Sequence, residues 1–179
     1  MSFESYLESQ NLILKSVDQG LLEGFIDGLR EIRRNNGIVW VAGNGGACST
    51  ASHTAADFNK TTKSFGHEPL KTISISDMSA LTTAFSNDEA FDESVAGPLE
   101  ILAAPRDGLL LLSVSGTSPN IVRGLQAAHS KNLSTFVIVG ANGKKTAEQS
   151  THAIVLDSLD YQIVENAQMT LIHWITKVI

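Results

Sequence analysis

The sequence has little that would cross-link it and little that would carry it onto or through a membrane. Among 179 residues there is one cysteine, Cys48, so no disulfide can form within the chain. No repeat, low-complexity tract or linker breaks the pattern, which leaves no place to cut a second domain. No apolar run approaches the roughly 18–20 residues that a bilayer crossing needs. Charge is sparse at 18% and acidic on balance, with 13 Lys and Arg against 19 Asp and Glu. The longest basic runs are the pairs Arg33-Arg34 and Lys144-Lys145, so the footprint of a nucleic-acid binder is missing. The stretch MSFESYLESQ lacks the basic region and apolar core of a signal peptide, and the cytoplasm is the expected location.

What is present is a globular composition, 42% hydrophobic, and enough length for one sizeable core. A single domain over 1–179 is expected, with 1–36 as a helical amino-terminal segment suited to oligomer packing. In that segment Leu21, Leu22, Phe25, Ile26, Leu29 and Ile32 recur at three- and four-residue steps, the period of a helix. Gly20 is the expected break between two helices.

Beyond Gly37 the pattern turns into short apolar runs bounded by turn residues: IVWVA (38–42), KTISIS (71–76), GLLLLSV (108–114), TFVIVG (135–140) and HAIVL (152–156). These read as five buried strands. Stretches suited to helices separate them, at 49–60, 78–85, 91–103, 119–131 and 146–150, with a long apolar helix at 161–179. The alternation predicts a three-layer α/β fold, doubly wound and flavodoxin-like, with a sheet of five parallel strands. Ligands of such a sheet gather at the carboxyl ends of the strands, where the strand order reverses.

Two strand ends carry loops that could receive an anion. The first strand runs into Gly43-Asn44-Gly45-Gly46, and the third into SVSGTSPN, 113–120. Each is a strand-to-helix junction that can present backbone N–H groups and a helix amino terminus. In the second loop Ser118 fits an N-cap and Pro119 a first helical residue, and the hydroxyls of Ser113, Ser115, Thr117 and Ser118 supply neutral donors. Neither loop has the GxGxxG or GxxxxGK[ST] spacing of dinucleotide and nucleoside-triphosphate sites. Glycine turns and hydroxyl caps also end many strands with no ligand at all.

His53 and Asp57 stand four residues apart on the helix after the first loop, so they share a face. Such a pair ligates a metal, relays a proton or forms a surface contact, and spacing alone favours the last. Glu165 and His173 interrupt the apolar carboxyl-terminal helix, where polar groups need partners. Eight helical residues hold those two about 12 Å apart, so one ion reaches both only through a distorted helix or a second subunit.

Taken in order, GNGGACSTASHTAADF, SISDMSALTTAFSND, LLLLSVSGTSPN and IVENAQMTLIH resemble the sugar isomerase (SIS) domain proteins, and among them the bacterial phosphoheptose isomerases. The resemblance covers essentially the whole chain. It implies isomerisation of sedoheptulose 7-phosphate or a related phosphorylated sugar, a zinc ion, and a homotetramer with sites between subunits. Matched by motif, His53, Asp57, Glu165 and His173 fall on the metal positions, and Asp57, Glu165 and His173 on the catalytic ones. Asn44, Gly45, Asp77, Asn87, Asp88, Ser113, Ser115 and Ser118 fall on substrate-binding positions.

The chain also departs from the pattern. Ala47 replaces the serine after the glycines, Val114 a threonine of the phosphate loop, Asp57 a glutamate and Glu165 a glutamine. The arginine of the family's helix-end segment is absent, with Lys60 or Lys63 as the available substitutes. The missing methylene at Asp57 shifts a carboxylate by roughly an ångström, which matters for a group that moves a proton. Three readings follow: a phosphoheptose isomerase, a non-catalytic SIS protein that binds a sugar phosphate or a protein, and an isomerase of a different sugar phosphate. Cys48 reads as a small residue packed in the loop.

Overall fold

The computed structural model describes residues 2–179. Five strands, β1 (Val39–Gly43), β2 (Thr72–Ser74), β3 (Gly108–Ser113), β4 (Ser134–Gly140) and β5 (His152–Leu156), form one parallel sheet in the order β2-β1-β3-β4-β5. This is the expected doubly wound architecture. The four-leucine run shows why it forms: successive strand side chains point to opposite faces. Leu110 and Leu112 enter one core and Leu109 and Leu111 the other, all four fully buried.

Helices α1 (Phe3–Lys15), α2 (Gln19–Arg34), α3 (Gly46–Asn59) and α8 (Tyr161–Val178) cover the first face. Helices α5 (Glu93–Leu102), α6 (Pro119–Ser130) and α7 (Lys144–Glu148) cover the second. Between β2 and α5 lies α4 (Ser79–Asp88), which buries none of its side chains. β1 and β3 are neighbours, yet the chain leaves β1 towards β2 on one side and β3 towards β4 on the other. The loops after β1 and β3 therefore part at a crevice above the sheet, the usual ligand position in this topology.

Several boundaries differ from expectation. The first helix break is set by Asp18, whose carboxylate accepts the Leu21 N–H as an N-cap, and Gly20 lies inside the first turn of α2. A first-turn glycine is tolerated because the N–H groups there have no partner within the helix, so cap chemistry decides the boundary. β2 is shorter than the run at 71–76, and Ile75–Asp77 turns into a 3-10 helix. α3 starts at Gly46, ahead of the expected residue 49, and α4 runs on through Asp88.

At the amino ends of the strands a buried carboxylate ties two of them together. Asp107 accepts the Ile38 N–H at 2.9 Å, the Trp40 indole N–H at 3.0 Å and the Ala104 N–H at 2.9 Å. His152, at the start of β5, stacks on Phe136 with ring centroids 4.7 Å apart and lies against Gly28 of α2. Burial lowers the pKa of this imidazole, and the charge of Glu31 partly opposes that.

Candidate active site

The crevice between β1 and β3 is built by two turns. Gly45 caps α3 with φ +57° and ψ −124°, a left-handed conformation that a residue with a Cβ rarely adopts. On the other side, Ser113 Oγ accepts the Gly116 N–H at 3.0 Å and Ser115 Oγ the Thr117 N–H at 3.3 Å, which curls the loop. Ser118 is the N-cap of α6 and Pro119 its first residue, as expected, but Ser118 makes no side-chain cap bond. Its hydroxyl is therefore not engaged by the start of the helix. Ser113, Ser115 and Ser118 line one small cavity of about 70 Å³ with Asn44 and Glu165.

Asn44 and Asn120 join the two loops through a reciprocal amide pair, each Nδ2 donating to the other's Oδ1 at 2.8 Å. Asn120 is buried and also donates to Ser94 Oγ at 3.3 Å. Asn120 closes the SVSGTSPN motif, but its residue type does not mark it as a site residue. Its only signal was position, at the second residue of α6 beside the loop. Tyr161, another wall of the cavity, gave no signal at all.

Further along α3, three side chains converge. His53 Nε2 lies 3.5 Å from Asp57 Oδ2, His173 Nε2 lies 3.7 Å from the same oxygen, and the two imidazole nitrogens are 3.2 Å apart. His53 and His173 are exposed, whereas Asp57 is buried. A ligand atom from each lies within 4.8 Å of the others, a group able to hold a metal ion. Bonds of about 2.0–2.2 Å at tetrahedral angles put neighbouring ligand atoms roughly 3.3–3.6 Å apart, and the three distances straddle that range.

Glu165 is not part of this cluster within the chain. α8 is continuous from Tyr161 to Val178, so the eight residues to His173 keep the two about 12 Å apart. The Glu165 carboxylate instead lies against Gly46, where a Cβ would collide with both of its oxygens. Gly46 meets Glu165 and His53 meets His173, so α3 and α8 lie side by side and run in the same direction. One end of their seam carries the serine loop and Glu165, and the other the two histidines and Asp57.

The remaining candidates are divided. Asp77 accepts a hydrogen bond from Ser52, which precedes His53 by one residue on α3 and projects about 100° away from it. Asn87 and Asp88 sit on the outer end of α4, exposed and bonded to each other at 2.7 Å. The chain alone does not bring them to either end of the seam. Lys60 and Lys63 are exposed and line neither the cavity nor the trio.

Comparison with known proteins gives the family and the fold. The pattern of the SIS domain matches residues 5–140. A probable phosphoheptose isomerase of Thermoplasma volcanium is 30% identical over 100% of this chain and 91% of its own. The phosphoheptose isomerase of Pelobacter propionicus is 34% identical over 81% of this chain and 76% of its own. Among solved structures, a phosphoheptose isomerase from Francisella tularensis superposes with a TM-score of 0.87 at 20% identity, over 98% of this chain and 92% of that one. The chain therefore belongs to the SIS domain family, as a phosphoheptose isomerase-like member.

Proposed function

We propose that this protein interconverts the ketose and aldose forms of a phosphorylated sugar, with sedoheptulose 7-phosphate the first substrate to test. The observation that carries the reading is the α3–α8 seam, with a hydroxyl-lined cavity at one end and His53, Asp57 and His173 at the other. The separation of about 12 Å along α8 suits an extended sugar phosphate, its phosphate in the serine loop and its carbonyl end beside the trio. The names of the curated relatives support the same substrate class.

The exchange requires a group that moves a proton between adjacent carbons and another that serves the two oxygens. Asp57 is the carboxylate at the carbonyl end; Glu165 stands at the phosphate end. Asp57 Oδ2 faces both imidazoles, and Oδ1 takes the proton from the carbon next to the carbonyl and returns it to the former carbonyl carbon. With no ion held by the trio, His173 Nε2 serves the oxygens by exchanging a proton with them as the enediol forms. Two imidazoles and a carboxylate suit zinc, which His53, Asp57 and His173 would hold; when bound it supplies Lewis-acid polarisation of those oxygens.

The protein also acts, in this reading, as one domain that assembles into a homotetramer, located in the cytoplasm. Exposure of Phe3, Leu12 and Leu21 on the amino-terminal helices supports assembly through that segment. Incubation with zinc and sedoheptulose 7-phosphate in deuterated water tests the chemistry: deuterium enters the carbon next to the carbonyl. No exchange with that or other ketose phosphates rejects it. The non-catalytic reading draws support from Ala47 and from the carboxylate of Glu165 beside the serine loop; binding of a sugar phosphate without exchange is its signature.

A further inference from the structure

Among the described residues, the cavity proposed to hold phosphate is lined by a negative group and by no positive one. Its walls include Ser113, Ser115, Ser118, Asn44 and Glu165, and no Lys, Arg or His lines it. Two helix amino termini point there, those of α3 at Gly46 and α6 at Pro119. The Glu165 carboxylate already lies against the first of them, packed on the bare Cα of Gly46. That is the place an external anion would otherwise favour. No hydrogen-bond donor among the described residues is paired with this carboxylate.

We infer that Glu165 is a specificity-determining residue that limits the affinity of the serine loop for a phosphate dianion. The inference rests on the proposed reading of the loop as the phosphate site. A ligand there receives hydroxyl donors from Ser115 and Ser118 and the N–H groups at the start of α6. It also meets a like charge across a cavity of only about 70 Å³. Like charges at that range repel, the more so the less water lies between them. The carboxylate accepts but cannot donate, so it favours a substrate that presents a sugar hydroxyl beside its phosphate over one that presents phosphate alone. A monoester dianion, whose phosphoryl oxygens carry no proton to donate, is the species most penalised when it lacks such a hydroxyl.

The test is direct binding of methyl phosphate, a monoester whose dianion has no proton to donate, followed by phosphorus NMR or calorimetry at low salt and about pH 8, where it is dianionic. Glu165→Gln keeps the shape and removes the charge; Glu165→Ala removes it by a different route. Both are expected to bind methyl phosphate at least tenfold more tightly than the unaltered protein. Adding Ser118→Ala to Glu165→Gln is expected to abolish the gain. Unchanged or weaker binding in both charge-removing variants overturns the inference, as does a gain that survives Ser118→Ala. Because the readout needs no turnover, it separates from the proposed activity. Tighter phosphate binding without isomerisation keeps the charge role and rejects the isomerase. Isomerisation with no phosphate gain does the reverse.

Discussion

Nε2 of His53 lies 3.2 Å from Nε2 of His173, across 120 positions of sequence. Two ring nitrogens at that distance either share one proton or turn their lone pairs to a common cation. Asp57 Oδ2 stands 3.5 and 3.7 Å from the same two atoms, so a cation would find an anionic third ligand already in place.

Zinc at about 100 times its Kd is expected to raise the unfolding free energy by roughly 2.7 kcal/mol, read as a rise in melting temperature. His53→Ala, Asp57→Ala and His173→Ala should each remove most of that rise, whereas Glu165→Ala should retain it. Equal rises in all variants would place the ion elsewhere.

Asp57→Asn keeps the shape of the side chain and removes its capacity to accept a proton. Solvent deuterium exchange into the sugar is expected to fall by roughly 10²–10⁴-fold, with the circular dichroism spectrum unchanged. A variant that exchanges at the original rate would assign the proton transfer to another group.

Asp107 offers a test of the scaffold away from the site. Its carboxylate satisfies the Ile38 and Ala104 N–H groups and the buried Trp40 indole. Asp107→Ala leaves these donors without a partner and is expected to cost about 3 kcal/mol or more in urea unfolding. A loss under about 1 kcal/mol would show that water replaces the carboxylate.

His152 predicts an acid-sensitive fold. Its folded pKa lies below the ordinary value of 6.5 because burial penalises the charged ring. The unfolded chain therefore binds a proton first as pH falls. Stability is complete above about 6.5 and declines as the pH drops from there through the folded value. His152→Gln should flatten that part of the stability curve, measured by urea unfolding at a series of pH values. A slope that persists would assign it to other groups.

Much of this architecture could be read in residue order. The apolar runs marked the strands, Leu22 to Ile32 marked the buried face of α2, and Ser118-Pro119 marked the start of α6. These are local signals, since burial on both faces of a parallel strand and cap chemistry depend on neighbours in sequence. The sites were less legible. By spacing alone His53 and Asp57 read as a surface pair, and nothing in its residue type marks Asn120.

By itself the sequence determined the α/β class, the two loops at the reversal of strand order and the set of polar residues available for chemistry. Only the tertiary structure decided which of them meet. Each helical residue advances about 1.5 Å and turns roughly 100°, so the contacts between α3 and α8 depend on how both are rotated and shifted on the sheet. That placement is set by core packing of residues such as Phe58, Val164, Ala167 and Leu171. It carries His173 to His53 and Asp57, and sends Glu165 to Gly46 beside the serine loop.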